Sequence, residues 1–183
     1  MLWKANINFI EVLFSEEQFI ENTLEGNYLL KIIKNKNELA KMNLPYLWDA
    51  CIGMHYNKFK LLQKGTKGTQ YLVDKYGYDT KQAQHCYRVL DFLERYYNNS
   101  FSDFKQAIWY NDGRERDLLI DIKHGKFTLN KFIEMVQSKR EDIGKLKNYY
   151  KLYEPNTDLY YWLNKQIKEI IKISLYKDLK GGN

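Results

Sequence analysis

A chain of 183 residues has room for one full hydrophobic core and suits a single domain. Only 2 Pro and 10 Gly exclude a loop-rich sandwich or a long flexible linker, and no apolar run approaches the ~20 residues of a membrane span. The formal charge of +6 permits contact with nucleic acid or an acidic protein surface, although Lys and Glu are interspersed and no long basic arm exists.

Residues Met1 to Phe14 read as a helix with Leu2, Phe9, Ile10 and Leu13 on one side; Lys4, Asn6, Asn8 and Glu11 interrupt any secretory leader there. Ser15-Glu16-Glu17-Gln18 has the form of a capping box and predicts a short helix through Phe19 and Ile20. Leu24 to Met42 is helical by pattern, with a break expected near Gly26-Asn27. Pro45 fits the first turn of the next helix, which runs to about Leu62. Its inward residues are Leu47, Ala50, Cys51, Met54 and Leu61; His55, Tyr56, Lys58 and Lys60 are expected to face outward. Lys64 to Thr69 is a polar break that lacks the GxxxxGK[ST] order of a phosphate loop. A short helix over Gln70 to Tyr76 follows.

Gly77 to Tyr97 is the most site-like stretch. Asp79 or Thr80 caps a helix whose Ala83, Cys86, Leu90, Leu93 and Tyr97 form one apolar stripe. Off that stripe, Lys81, His85 and Arg88 recur at i, i+4 and i+7, giving a separate basic face with a titratable imidazole. Residues 98–112 are the least regular and leave room for one short β-hairpin. Arg114 to His124 predicts a helix ended by Gly125, and Thr128 caps a longer one whose polar interval at Lys139-Arg140 leaves room for a bend. Pro155 to Asp158 stops it and starts the last helix, whose buried face is expected to hold Leu159, Leu163, Ile167, Ile170 and Ile171. The fold class expected is all-α, a single-domain multi-helix bundle over 1–180, with residues 181–183 as a disordered tail.

Metal binding and cofactors are not expected, because His55, His85 and His124 lie far apart with no partner ligand at metal spacing. Cys51 and Cys86 form no CxxC pair and read as reduced core cysteines of a cytoplasmic protein. Cys86 beside His85 does not read as a nucleophile, since adjacent helical residues point about 100° apart. Lys81, His85 and Arg88 instead form an anion-binding row beside a helix N-terminus, with Tyr78 next to it. A solvated helix face would carry the same letters. Tyr56, Lys58, Lys60, Lys64 and Lys67 interleave aromatic and basic groups as a nucleic-acid backbone and its bases would require.

Three runs carry a family resemblance. Asn6-Ile7-Asn8-Phe9-Ile10-Glu11-Val12-Leu13-Phe14 resembles the NPNxxExLF run of the RNA-ligase-associated predicted nucleotidyltransferases of the DNA polymerase β superfamily. Gly77-Tyr78-Asp79-Thr80-Lys81, with Ala83, His85 and Arg88, resembles that family's GYDTKHAxHLxRLL helix, and Leu118 to Gly125 resembles its ELLxIRxGE segment. Ile7 replaces a Pro, Gln82 a His and Lys123 an Arg. The resemblance is to the C-terminal helical part. The family's catalytic module, a GSxxxG turn with DxD metal carboxylates, lies upstream of the first run, where this sequence has only Met1 to Ala5. The resemblance therefore implies that Lys81, His85 and Arg88 face substrate or phosphate in a complete enzyme, and the expectation for this chain is no catalysis. It is expected to be a binding protein for RNA, DNA or a host nucleic-acid-processing protein, of a kind that suits a mobile-element inhibitor of host defence such as an anti-CRISPR protein. The alternative is the helical subunit of a split nucleotidyltransferase that works with a separate catalytic subunit.

Overall fold

Eleven α-helices and one 3-10 turn make up the computed structural model, which describes residues 2–181, and no strand occurs among them. The turn is Leu2–Lys4; the helices are α1 (Ile7–Val12), α2 (Leu24–Lys34), α3 (Lys36–Lys41), α4 (Leu44–Lys60), α5 (Gln70–Tyr76), α6 (Thr80–Asn98), α7 (Phe104–Ile108), α8 (Arg114–Lys123), α9 (Leu129–Gly144), α10 (Lys147–Lys151) and α11 (Thr157–Gly181). The single-domain, all-helical reading of the periodicity holds.

Helix α6 is the axis of the bundle. Asp79 caps it, its carboxylate accepting from the Gln82 N–H at 3.0 Å. The expected stripe is buried at Ala83, Cys86, Leu90 and Leu93, but Val89, Phe92 and Tyr96 are buried as well. A helix covered on this many sides must be enclosed by neighbours, and α4, α5, α7, α8 and α9 all pack on it. Each fully buried Leu or Phe here contributes about 1.5–3 kcal/mol. A smaller cluster, Ile32, Leu39, Met42 and Leu163, joins α2 and α3 to α11. Helices α2 and α11 run antiparallel, since Glu25 at the start of α2 pairs with Lys177 near the end of α11 at 2.6 Å.

Several local expectations are corrected by packing. The N-terminal helix is split at Ala5 (φ 46°), and Asn6 caps a new start. Ser15 to Ile20 forms no helix: Gln18 donates to the Leu13 carbonyl, and Phe19 is 92 % exposed, so no apolar face is there to hold a turn. The break in the third segment falls at Asn35 rather than at Gly26-Asn27, because Thr23 accepts from the Gly26 N–H and makes that glycine part of the first turn. A side chain at Gly26 would collide with the Glu21 carbonyl, which is why a glycine sits there. No hairpin forms over 98–112. Ser100 takes φ 56° and α6 closes with Phe101 N–H donating to the Tyr96 carbonyl, after which Asp103 caps α7. Helix α9 runs unbroken through Lys139-Arg140, where Lys139 is held by α6, and it ends at Gly144. Helix α11 extends to Gly181, one residue into the expected tail, and the rest of that tail, residues 182–183, lies outside the described residues. On α11 only Leu163 of the five expected residues is buried; Ile167 and Ile171 are exposed.

Candidate functional site

The basic row of α6 meets two other elements. Arg88 donates to the Glu11 carboxylate of α1 at 3.0 Å, an ion pair open to solvent on both sides. His85, Arg88, Asn8 and Glu11 line one narrow cavity with Ile7 and Met54. About 40 Å³ is open to a water centre there, enough for a water or two and far too little for a nucleotide. Whatever the row binds is therefore held on the surface. Lys58 of α4 lies near enough for its charge to act on His85, and Lys81 stays exposed at the first turn of α6. Burial pushes the half-buried His85 imidazole below its ordinary range, and the positive charges of Lys58, Arg88 and Lys81 push the same way against Asp79. Three cations face two carboxylates, so the site carries one surplus positive charge and a neutral imidazole ready to take up a proton beside an anion. Four of the residues expected to bind, Lys58, Lys81, His85 and Arg88, are thus brought together.

The others are not. Tyr78 is fully buried, its hydroxyl donating to the Phe127 carbonyl at 3.0 Å while its ring stacks on Phe132, so it serves the core and not a ligand. Tyr56 is exposed but lies 5.9 Å from the Arg140 guanidinium, beside α9. Two residues on a helix turn through about 200°, which separates it from Lys58. Lys60 lines a different groove with Leu129 and Ile133, and Lys64 and Lys67 are exposed between α4 and α5. The interleaved stretch is therefore not one continuous surface.

His55, expected outward, is buried, and it rather than His85 meets Cys86. Its Nδ1 lies 3.1 Å from the Cys86 carbonyl and 3.2 Å from Sγ, while the thiol is placed to donate to the His55 carbonyl at 3.7 Å. Burial pushes the Cys86 thiol up to about 12 and the His55 imidazole down, so both are neutral near pH 7. The pair ties α4 to α6 and offers no thiolate. Cys51 is also buried and free.

One polar cluster was not anticipated. The Lys139 ammonium of α9 donates to Asp91 at 2.7 Å and Glu94 at 2.5 Å, and Tyr110 donates to the other Asp91 oxygen at 2.8 Å. Arg95 lies over the Tyr110 ring and donates to the Gln106 and Trp109 carbonyls. The only sequence signal was Tyr87, Asp91 and Glu94 at i, i+4 and i+7 on a helix otherwise rich in core residues. Their partner lies 48 residues away from Asp91. The cluster is a clamp between α6, α9 and the segment after α7. Among the described residues, no three His, Cys, Asp or Glu side chains converge as metal ligands, and no helix is long and apolar enough to cross a membrane.

The two depressed imidazoles predict how stability follows pH. Below about pH 6.5 the unfolded chain takes up protons at His55 and His85 that the folded chain resists, so it binds more protons than the native state. Stability is then fully present above pH 6.5 and is lost as pH falls through that window. Urea midpoints measured from about pH 7 to about pH 5.5 should decrease, and His85→Gln should flatten the slope.

No family model matches this chain, and neither does any characterised protein sequence or any solved structure.

Proposed function

We infer that this chain is a non-catalytic protein that binds the phosphate backbone of a nucleic acid. One juxtaposition supports the reading: the Lys58 charge from α4 acts on the same imidazole as Lys81 and Arg88 of α6, so cations from two helices surround His85. Cationic side chains on the first turns of a long helix suit phosphate oxygens, because the helix dipole favours negative charge at that end. The shallow cavity suits a backbone lying across the surface better than a mononucleotide enclosed in a pocket. A nucleic-acid-handling partner protein and a role in inhibiting host defence belong to the same proposal.

A second reading has its own support. Asn8 and Glu11 of the first family-like run share a cavity with His85 and Arg88 of the second. Convergence of two such runs is what the helical subunit of a split nucleotidyltransferase would need, with metal carboxylates supplied by a separate subunit.

The test is a titration of full-length protein with single-stranded RNA and with duplex DNA at several salt concentrations, followed by fluorescence anisotropy and by His85 ring NMR signals. Binding should weaken linearly in log–log salt plots, and the His85 pKa should rise on binding because the phosphate offsets its cationic neighbours. Binding that ignores salt, or a His85 titration unmoved by saturating nucleic acid, sinks the proposal. Nucleotide transfer by this chain alone would overturn its non-catalytic part.

A further inference from the structure

Asp112-Gly113 is the one Asp–Gly or Asn–Gly step in the sequence, and it lies in the link between α7 and α8. At such a step the backbone nitrogen of the second residue can attack the side-chain carbonyl carbon of the first, and glycine hinders that attack least. The Asp112 side chain is 92 % exposed. Gly113 takes φ 142°, a conformation that residues with a side chain rarely adopt. A carbon added to it would meet nothing within 4 Å, so the space around this residue is open. The Gly113 N–H donates to no group among the described residues. Arg116, one turn on, pairs with the Asp112 carboxylate and draws it towards the residues that follow it. The nitrogen is therefore free and uncrowded, next to an exposed carboxyl group.

A second step has suitable letters but is closed by its contacts. Asn99-Ser100 joins a side-chain amide to a small next residue. The Asn99 amide donates to the Asp103 carbonyl at 2.6 Å, and its oxygen accepts from the Ser102 N–H at 3.2 Å. The Ser100 N–H is taken up by the Tyr97 carbonyl at 2.8 Å. In the unfolded chain both steps are open. Folding closes the one at Asn99 and leaves the one at Asp112.

We propose that Asp112 is a site of spontaneous isoaspartate formation in the folded protein. The Gly113 nitrogen bonds to the Asp112 side-chain carboxyl carbon, and one C–O bond of that carboxyl breaks. The amide hydrogen and the carboxyl hydroxyl leave together as water. The five-membered succinimide then takes up one water: opening at the side-chain carbonyl restores Asp112, and opening at the main-chain carbonyl routes the backbone through the side chain. The net change is an isomerisation that needs no oxidant, reductant or other co-reactant. Its product carries one more carbon in the backbone just before α8. There the Gly113 carbonyl accepts from the Asp117 N–H at 2.9 Å and Glu115 faces Arg95 at 3.5 Å, so both contacts of the first turn lose their register. Leu119 and Ile122, both buried, keep the rest of α8 in place.

The test keeps the full chain folded at physiological temperature for weeks, beside a sample unfolded in guanidinium chloride. Isoaspartate is read as methyl groups transferred by an isoaspartyl methyltransferase and is placed by peptide mapping. The folded chain should accumulate it at Asp112 and not at Asn99, and the unfolded chain at both. Asp112→Glu keeps a carboxylate for Arg116 but would need a six-membered ring, so the folded variant should lose the signal. The isomerised fraction, separated by ion exchange, should lose amide-exchange protection at Asp117 and keep it at Ile122. Three results overturn the proposal: no isoaspartate at Asp112 in the folded chain, formation at Asn99 as fast as at Asp112 when folded, or a folded-chain signal that survives in Asp112→Glu.

Discussion

Lys139→Met is expected to lower the stability of this protein by about 3 kcal/mol, because it leaves two carboxylates without their shared cation. The Lys139 side chain is 13 % exposed and that of Asp91 10 %, so water reaches neither readily. Glu94 keeps 36 %, which places the cost at the lower end for a buried pair. Burial alone would lower the Lys139 pKa, and the Asp91 and Glu94 carboxylates more than reverse this, so the ammonium is held above its ordinary range. For a chain of this size the loss corresponds to a fall of about 6–12 °C in Tm, readable by calorimetry. Adding Asp91→Asn to Lys139→Met should recover part of the loss, since the stranded charge is then gone. If Lys139→Met melts with the parent, the clamp is not what holds α9 on α6.

The second large effect is expected at the surface. Lys58→Glu with Lys81→Glu should weaken nucleic-acid binding by at least about ten-fold and reduce the salt slope by about 2, one phosphate contact for each lysine. Both side chains reach solvent, and neither makes an ion pair among the described residues, so folding should be nearly unaffected. Glu11→Gln should act in the opposite direction. Its carboxylate competes with phosphate for Arg88 at 3.0 Å, and neutralising it keeps the side chain's shape. The three sites together give a signed pattern that a general effect of net charge on affinity would not match in size, because reversing the more remote Lys64 and Lys67 should change affinity much less.

The clearest lesson concerns which residues a helical pattern can place. The cap at Asp79, the first-turn Pro45, the stop at Gly125 and the cap at Thr128 were all legible, because each depends on a few neighbouring backbone groups. The three-residue and four-residue recurrence along α6 likewise identified a buried stripe and a basic row. It could not show that Val89, Phe92 and Tyr96 are buried too, since that follows from five helices packing around one. The same limit explains Tyr78 and His55. Their letters suit a wet surface, and only the positions of Phe127 and Cys86 turn them inward.

For the candidate site, local sequence determined that Lys81, His85 and Arg88 share a face of one helix, because a 3.6-residue period allows nothing else. Tertiary structure decided the rest. It delivered Lys58 from α4 and Glu11 from α1, kept Tyr56, Lys60, Lys64 and Lys67 elsewhere, and hid the Asp91–Glu94–Lys139 clamp between helices far apart in the chain. Helix periodicity is a property of neighbouring residues, whereas ion pairs across 48 or 77 residues exist only once hydrophobic burial has set where the helices lie.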